Sequence, residues 1–231
     1  MAPFDAAPFD AVVFDLDGTL VDTAPDLHAH LNETLAAFGR PELDLAAVRP
    51  LIGDGARMLI QRGLETSGGL PAGTDLDALF VGFLERYTAD PLRFGAVFEG
   101  VIEVLETLAA AGIKLGVCTN KPQAPTDRLL AALDLATYFP VVIGGDHLKV
   151  KKPDAAHINT VVERLGAERH RTVMIGDSVT DVRAAEASGV PCILVSFGYT
   201  QTPARALGAD RVIDHFTELP AALASLGEAA A

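Results

Sequence analysis

Five short apolar runs constrain this chain more than any other feature of its 231 residues: 11–15 (AVVFD), 113–119, 141–144, 172–176 and 192–195. Each is a short continuous run of the kind that forms a strand buried on both faces of a parallel sheet. Helical segments separate them. Residues 100–111, for example, place Val101, Val104, Leu105 and Leu108 on one face and stop at Gly112. Buried strands alternating with helices predict an α/β fold, a parallel sheet with helices on both faces. Ligands of such sheets bind beyond the carboxyl ends of the strands.

One stretch breaks the alternation. Residues 24–93 carry helical pattern without a convincing strand: Leu27, Leu31 and Leu35 recur every four residues, closed by Gly39 and Pro41. Further helices are expected at 56–64 and 76–87, with the Gly/Pro-rich loop TSGGLPAGTD between them. The predicted organisation is a core of 1–23 and 94–231 with a small all-helical domain, 24–93, inserted over the site. Its hinges are expected near 23–25 and 91–96. The opening APFDAAPFDA repeats itself and reads as a ragged start.

Charge narrows the partners. Eighteen basic against 31 acidic side chains give a net charge of −13, a surface that repels nucleic acid. An anionic substrate therefore needs a local positive site. No apolar run reaches the roughly 18–20 residues of a membrane span, and residues 1–10 lack the basic start of a secretory signal. Cys118 and Cys192 lie in strand-like runs, as small buried hydrophobes would. A cytoplasmic protein, monomer or homodimer, is expected.

Four segments carry chemistry. The first run ends in Asp15-Leu16-Asp17-Gly18-Thr19. Two carboxylates one residue apart at the end of a buried strand are costly unless a positive group lies between them. A divalent cation answers that need, and oxygen ligands suit Mg²⁺; a hairpin turn would also use this Asp-Gly pair. After the fourth run comes Gly176-Asp177-Ser178-Val179-Thr180-Asp181. Here Asp177 ends the strand and Asp181 falls in a first helical turn, where the dipole alone favours an acid. Thr119-Asn120-Lys121-Pro122, after the second run, offers a hydroxyl and backbone N–H groups to phosphate oxygens, or is ordinary loop chemistry. Lys149-Val150-Lys151-Lys152-Pro153 offers a point charge for phosphate, or is a solvated basic cluster.

The predicted sheet brings these segments to one edge. Together DLDGTLVD, Thr119, Lys152-Pro153 and GDSVTD resemble the four motifs of the haloacid dehalogenase superfamily, over residues 11 to about 213. With GDGA, TNKP and GGD they are similar, within it, to the phosphoglycolate phosphatases. The resemblance implies a Rossmann-like core with a helical cap, and a Mg²⁺-dependent phosphomonoester hydrolase working through an aspartyl-phosphate. Asp15 is then the nucleophile and Asp17 the general acid and base. Mg²⁺ is expected on the Asp15 carboxylate, the Asp17 carbonyl and the Asp177 carboxylate, with Asp181 orienting metal-bound water. Thr119, the Asn120 N–H and Lys152 are expected on the transferring phosphoryl group. The family's Lys-Pro-x-Pro here reads Lys152-Pro153-Asp154-Ala155, and Lys151 is the other candidate for the acting lysine.

Asp17 speaks against a dehalogenase, which in this family lacks the second carboxylate. The first lysine of the chain is Lys114, so the expected cap holds none. That removes the Schiff-base chemistry of related phosphonoacetaldehyde hydrolases and weighs against a sugar-phosphate mutase. Gly53-Asp54-Gly55 opens the helix at 56–64 and is expected to select the substrate. Arg57 and Arg62 are candidates for a substrate carboxylate, and would equally serve as surface arginines. Tyr199 reads as a packing residue. The expected substrate is a small phosphorylated molecule, 2-phosphoglycolate first. The alternatives are another small phosphate (sugar phosphate, nucleotide or pyrophosphate) or a module that binds phosphate without turnover.

Overall fold

The computed structural model describes residues 9–70 and 72–230. Most of the opening repeat, and with it the start of the expected 1–23 segment, lies outside them. In chain order the first elements are β1 (Ala11–Phe14), the two-residue β2 (Val21–Asp22), and helices α1 (Ala24–Ala37), α2 (Leu45–Val48), α3 (Ala56–Thr66) and α4 (Leu76–Ala89). β3 (Ala96–Val97) returns antiparallel to β2, so the chain leaves the sheet and comes back along one narrow ribbon. Alternation then resumes through α5 (Val101–Ala110), β4 (Lys114–Cys118), α6 (Gln123–Ala132), β5 (Val141–Ile143) and α7 (Ala155–Leu165). It ends with β6 (Thr172–Gly176), α8 (Val179–Ser188), β7 (Cys192–Val195), β8 (Arg211–Ile213) and α9 (Leu219–Ala230).

The six-stranded sheet runs β5-β4-β1-β6-β7-β8, with every pairing parallel. All five predicted runs are strands of it. β8, three residues on the sheet edge, adds a sixth. β1 lies between the two directions of winding, where an open α/β sheet forms its ligand crevice.

Period-two alternation explains why β1 is wholly buried. Val12 and Phe14 join the apolar layer of α5, α6 and α9, while Ala11 and Val13 join that of α7 and α8. Phe14 packs against Phe216 and edge-on to Phe139, at 6.2 and 6.0 Å between centroids. Each such side chain contributes about 1.5–3 kcal/mol when fully buried. Cys118 and Cys192 are free and buried in the sheet, as small hydrophobes. Among the described residues no helix is long and apolar enough to cross a membrane.

The helices between β2 and β3 have a core of their own. Leu27, Leu31 and Leu35 of α1 meet Leu59, Ile60 and Leu64 of α3 and Phe83 and Tyr87 of α4. The joint to the sheet is polar. Buried Asp26, in the first turn of α1, accepts the Arg93 and Phe94 N–H groups on Oδ1, at 2.7 and 2.9 Å. It accepts Gly95 N–H on Oδ2, at 2.9 Å. One carboxylate thus ties the outgoing and returning strands of chain together. Tyr199 adds a second tie: its hydroxyl donates to Asp22 Oδ1 at 2.8 Å and accepts Ala24 N–H at 3.0 Å. The expected packing residue is therefore also a hydrogen-bonding strut.

Candidate active site

The carboxyl ends of β1, β4 and β6 and the loop after β5 converge. Asp15 follows β1, Thr119 and Asn120 follow β4, Lys152 precedes α7, and Asp177 and Asp181 flank the start of α8. All six are buried. Lys152 Nζ lies 2.7 Å from Asp181 Oδ1 and 2.9 Å from Asp15 Oδ1; the first contact is a hydrogen bond. The second is an ion pair without hydrogen-bond alignment, leaving Asp15 Oδ1 without a directed partner. Of the two candidate lysines, Lys152 is the one among the carboxylates. Lys151 instead donates to the Asp54 carbonyl.

Asp181 uses its two oxygens separately. Its Oδ2 accepts the Ser178 hydroxyl at 2.7 Å and the Asp177 and Ser178 N–H groups at 3.2 and 3.1 Å, capping α8. Its Oδ1 remains for Lys152. Two glycines make the close approach possible. A Cβ at Gly176 would fall 2.3 Å from Asp181 Cγ, and one at Gly198 would fall 2.2 Å from Asp177 Cβ.

Oxygens of Asp15, Asp177 and Asp181 come within 4.8 Å of one another. Burial pushes the Asp15 carboxyl up to about 6; Lys152 opposes the rise and Asp181 adds to it. Burial, then Asp181 and Asp15, hold Asp177 well above the usual carboxylate range. Burial disfavours the charge on Lys152, but Asp15 and Asp181 outweigh it and keep the ammonium protonated above the ordinary lysine range. Three buried carboxylates facing one ammonium leave excess negative charge in a dry place. A hard divalent cation with oxygen ligands fits this donor set.

Asp17 turns away from that cluster. Its Oδ1 accepts the Thr23 hydroxyl at 2.7 Å and Lys121 Nζ at 3.0 Å. Lys121 is buried, and its Nζ also contacts the Tyr87 hydroxyl at 2.5 Å. Asn120 joins the segments laterally, its Nδ2 donating to the Gly53 and Lys152 carbonyls at 3.1 Å each. Asp15, Asp17, Thr119, Asn120 and Lys121 line a cavity of ≈30 Å³ together with Gly53, Gly55, Leu59 and Tyr87 from the helical segment.

The two arginines stand elsewhere. Arg57 pairs with Asp77 at 3.0 Å, its side chain 49% exposed. Arg62 pairs with Asp54 at 2.5 Å and lines a neighbouring cleft of ≈320 Å³ that also touches Asp17, Asp177 and Tyr199. Neither lines the smaller cavity. Lys121 and Tyr87 are the site residues to which the sequence assigns no part. Lys121 lies in the bend that follows β4, where its N–H donates to Thr119 Oγ1 at 3.2 Å, and no local spacing marks it.

A parallel sheet with three acids, a lysine, a hydroxyl and an amide gathered at its central strand ends defines a class. The chain belongs to the haloacid dehalogenase-like hydrolases, whose family model matches residues 12–195. Among its relatives is the phosphoglycolate phosphatase of Rhodospirillum rubrum, 44% identical over 90% of this chain and 88% of the relative. The crystal structure of a predicted phosphoglycolate phosphatase from Haemophilus somnus superposes with a TM-score of 0.86. It is 28% identical and covers 91% of this chain and 96% of that one. CbbY from Rhodobacter sphaeroides, solved with phosphate and with xylulose-(1,5)bisphosphate, gives a TM-score of 0.78 at 30% identity, covering 91% and 96%.

Proposed function

We propose that this chain is a Mg²⁺-dependent phosphatase that hydrolyses 2-phosphoglycolate to glycolate and phosphate through an aspartyl-phosphate on Asp15. The convergence of Asp15, Asp17, Thr119, Lys152 and Asp177 at one end of the sheet carries the reading. The names of relatives alignable over most of the chain support the substrate. Residues 24–93 act as the cap over this end, with the Asp26 joint and the β2–β3 ribbon as its hinge. A cytoplasmic location belongs to the same proposal, supported by two free cysteines.

Asp15, with its carboxyl near 6, is mostly ionised at neutral pH and able to attack phosphorus. Asp15, Asp177 and the Asp17 carbonyl would hold Mg²⁺, which when bound offsets the charge of the two anions that must meet. Thr119 Oγ1 and the Asn120 N–H are positioned to take phosphoryl oxygens, and Lys152 to counter charge developing on them. Asp17 gives its proton to the departing glycolate oxygen. It then takes a proton from the water that attacks the aspartyl-phosphate, so the enzyme returns unchanged. Asp181 acts through others: it holds Lys152 and fixes the start of α8.

The test is a panel of kcat/KM values at saturating Mg²⁺. It sets 2-phosphoglycolate against a hexose phosphate, a pentulose bisphosphate, a nucleotide and pyrophosphate. We expect 2-phosphoglycolate to lead by tenfold or more. A different leader replaces the substrate, and no turnover of any of them, nor of p-nitrophenyl phosphate, ends the enzymatic reading.

A further inference from the structure

We infer that Lys121 is the cation that reads the substrate's carboxylate, so that this site selects phosphorylated acids over phosphorylated alcohols. The inference deepens the phosphatase reading above and rests on it. Among the described residues lining the ≈30 Å³ cavity, Lys121 alone carries a positive charge. On the helical wall opposite, Leu27, Ile52, Leu59 and Leu84 offer no polar side chain to a second anionic group, and Gly53, Gly55 and Ala56 offer backbone alone.

The other nearby cations are committed. Lys152 serves Asp15 and Asp181, Lys151 serves the Asp54 carbonyl, and Arg62 serves the Asp54 carboxylate in the neighbouring cleft. Lys121 is committed too: its three donors meet Asp17 Oδ1 and Oδ2, at 3.0 and 3.3 Å, and the Tyr87 hydroxyl at 2.5 Å, so a substrate carboxylate would take the place of the longer Asp17 Oδ2 contact. The face of the Tyr87 ring backs it at 4.3 Å from the centroid, stabilising a cation withdrawn from water.

Distance supports the assignment. Asp17 must reach the leaving oxygen to protonate it, and Nζ is 3.0 Å from Asp17 Oδ1. In 2-phosphoglycolate the carboxyl carbon is two bonds from that oxygen. A carboxylate so placed falls within reach of a group already bonded to Asp17. Tyr87 comes from α4, so the reader is completed only where the helical segment meets the sheet.

The experiment compares 2-phosphoglycolate with 2-hydroxyethyl phosphate, which keeps the skeleton and replaces the carboxylate by an alcohol. We expect wild type to prefer the acid. Lys121→Met should cut that preference about 10–100-fold, the worth of one hydrogen bond to a charged group, chiefly through KM for the acid. Lys121→Arg, which keeps the charge, should retain most of the preference, and it stands in should the methionine variant fail to fold. Equal losses on both substrates would make Lys121 a positioning residue for Asp17 and overturn the inference. Collapse of the preference in Arg62→Gln would overturn it as well, by moving the reader to the cleft. A wild type that turns over other phosphates but shows no preference for the acid refutes the substrate assignment itself, a result distinct from either variant outcome.

Discussion

Replacing Lys152 by methionine isolates the electrostatics of the whole site. The ammonium lies 2.9 Å from Asp15 and 2.7 Å from Asp181, with 1% of its side chain exposed, so solvent screens neither contact. Without it, three converging carboxylates share a buried space with no cation among them. Removing one partner of a buried ion pair costs about 3–5 kcal/mol. At about 2–4 °C per kcal/mol for a chain of this length, the melting temperature should fall by about 6–20 °C at pH 8 in EDTA. Part of the penalty vanishes at pH 5, because Asp15, with its carboxyl near 6, is then largely neutral. Mg²⁺ should return part of it at pH 8 by supplying another cation. Lys151→Met, which removes a bond to a neutral carbonyl, should cost only about 1 kcal/mol. Differential scanning calorimetry of both variants, with and without Mg²⁺, makes the comparison. A Lys152 variant melting within 2 °C of wild type, or a Lys151 variant that suffers more, would refute the reasoning.

Asp15→Asn should abolish turnover, yet in EDTA at pH 7 it should be more stable than wild type by up to about 3 kcal/mol. The folded carboxyl titrates near 6 rather than 3.8, so the unmodified side chain weakens the fold as pH rises through 6, and the difference should close near pH 4. Urea melts at the two pH values measure it; an unchanged difference would contradict the burial argument. Asp26→Asn can no longer accept the Gly95 N–H. Loss of that charge-assisted bond should cost about 1.5–3 kcal/mol, or about 3–12 °C by calorimetry; an unshifted melt would deny the joint its role. Chelation should silence hydrolysis and added Mg²⁺ should restore it, whereas EDTA-resistant turnover would count against a metal centre.

Much of this architecture is legible in one dimension because it is written in runs. β1, β6 and β7 are continuous apolar stretches buried to the last residue, and the α1 leucines repeat every four. β2 and β3 carry no such signal, since two residues cannot show a period and each strand exists only by pairing with the other. β8, opening with an exposed arginine, is almost as silent. The same contrast holds at the site. Asp15, Thr119, Lys152 and Asp177 sit at strand ends or before a proline, positions that local spelling marks. Asp26 looks like any first-turn acid, because its partners Arg93, Phe94 and Gly95 return from far along the chain. Lys121 looks like loop polarity until Tyr87 is brought beside it. Arg57 shows the opposite: a plausible ligand by composition stands on the outer surface, paired with Asp77.

The chamber between the sheet and the helical segment measures ≈30 Å³, enough for on the order of two water molecules. Walls from both the sheet and the helical segment would close on a phosphorylated acid seated there. If its entry and release wait on a motion about the Asp26 joint, that motion rather than the phosphorus chemistry would set the turnover, and a more viscous solvent should then lower kcat.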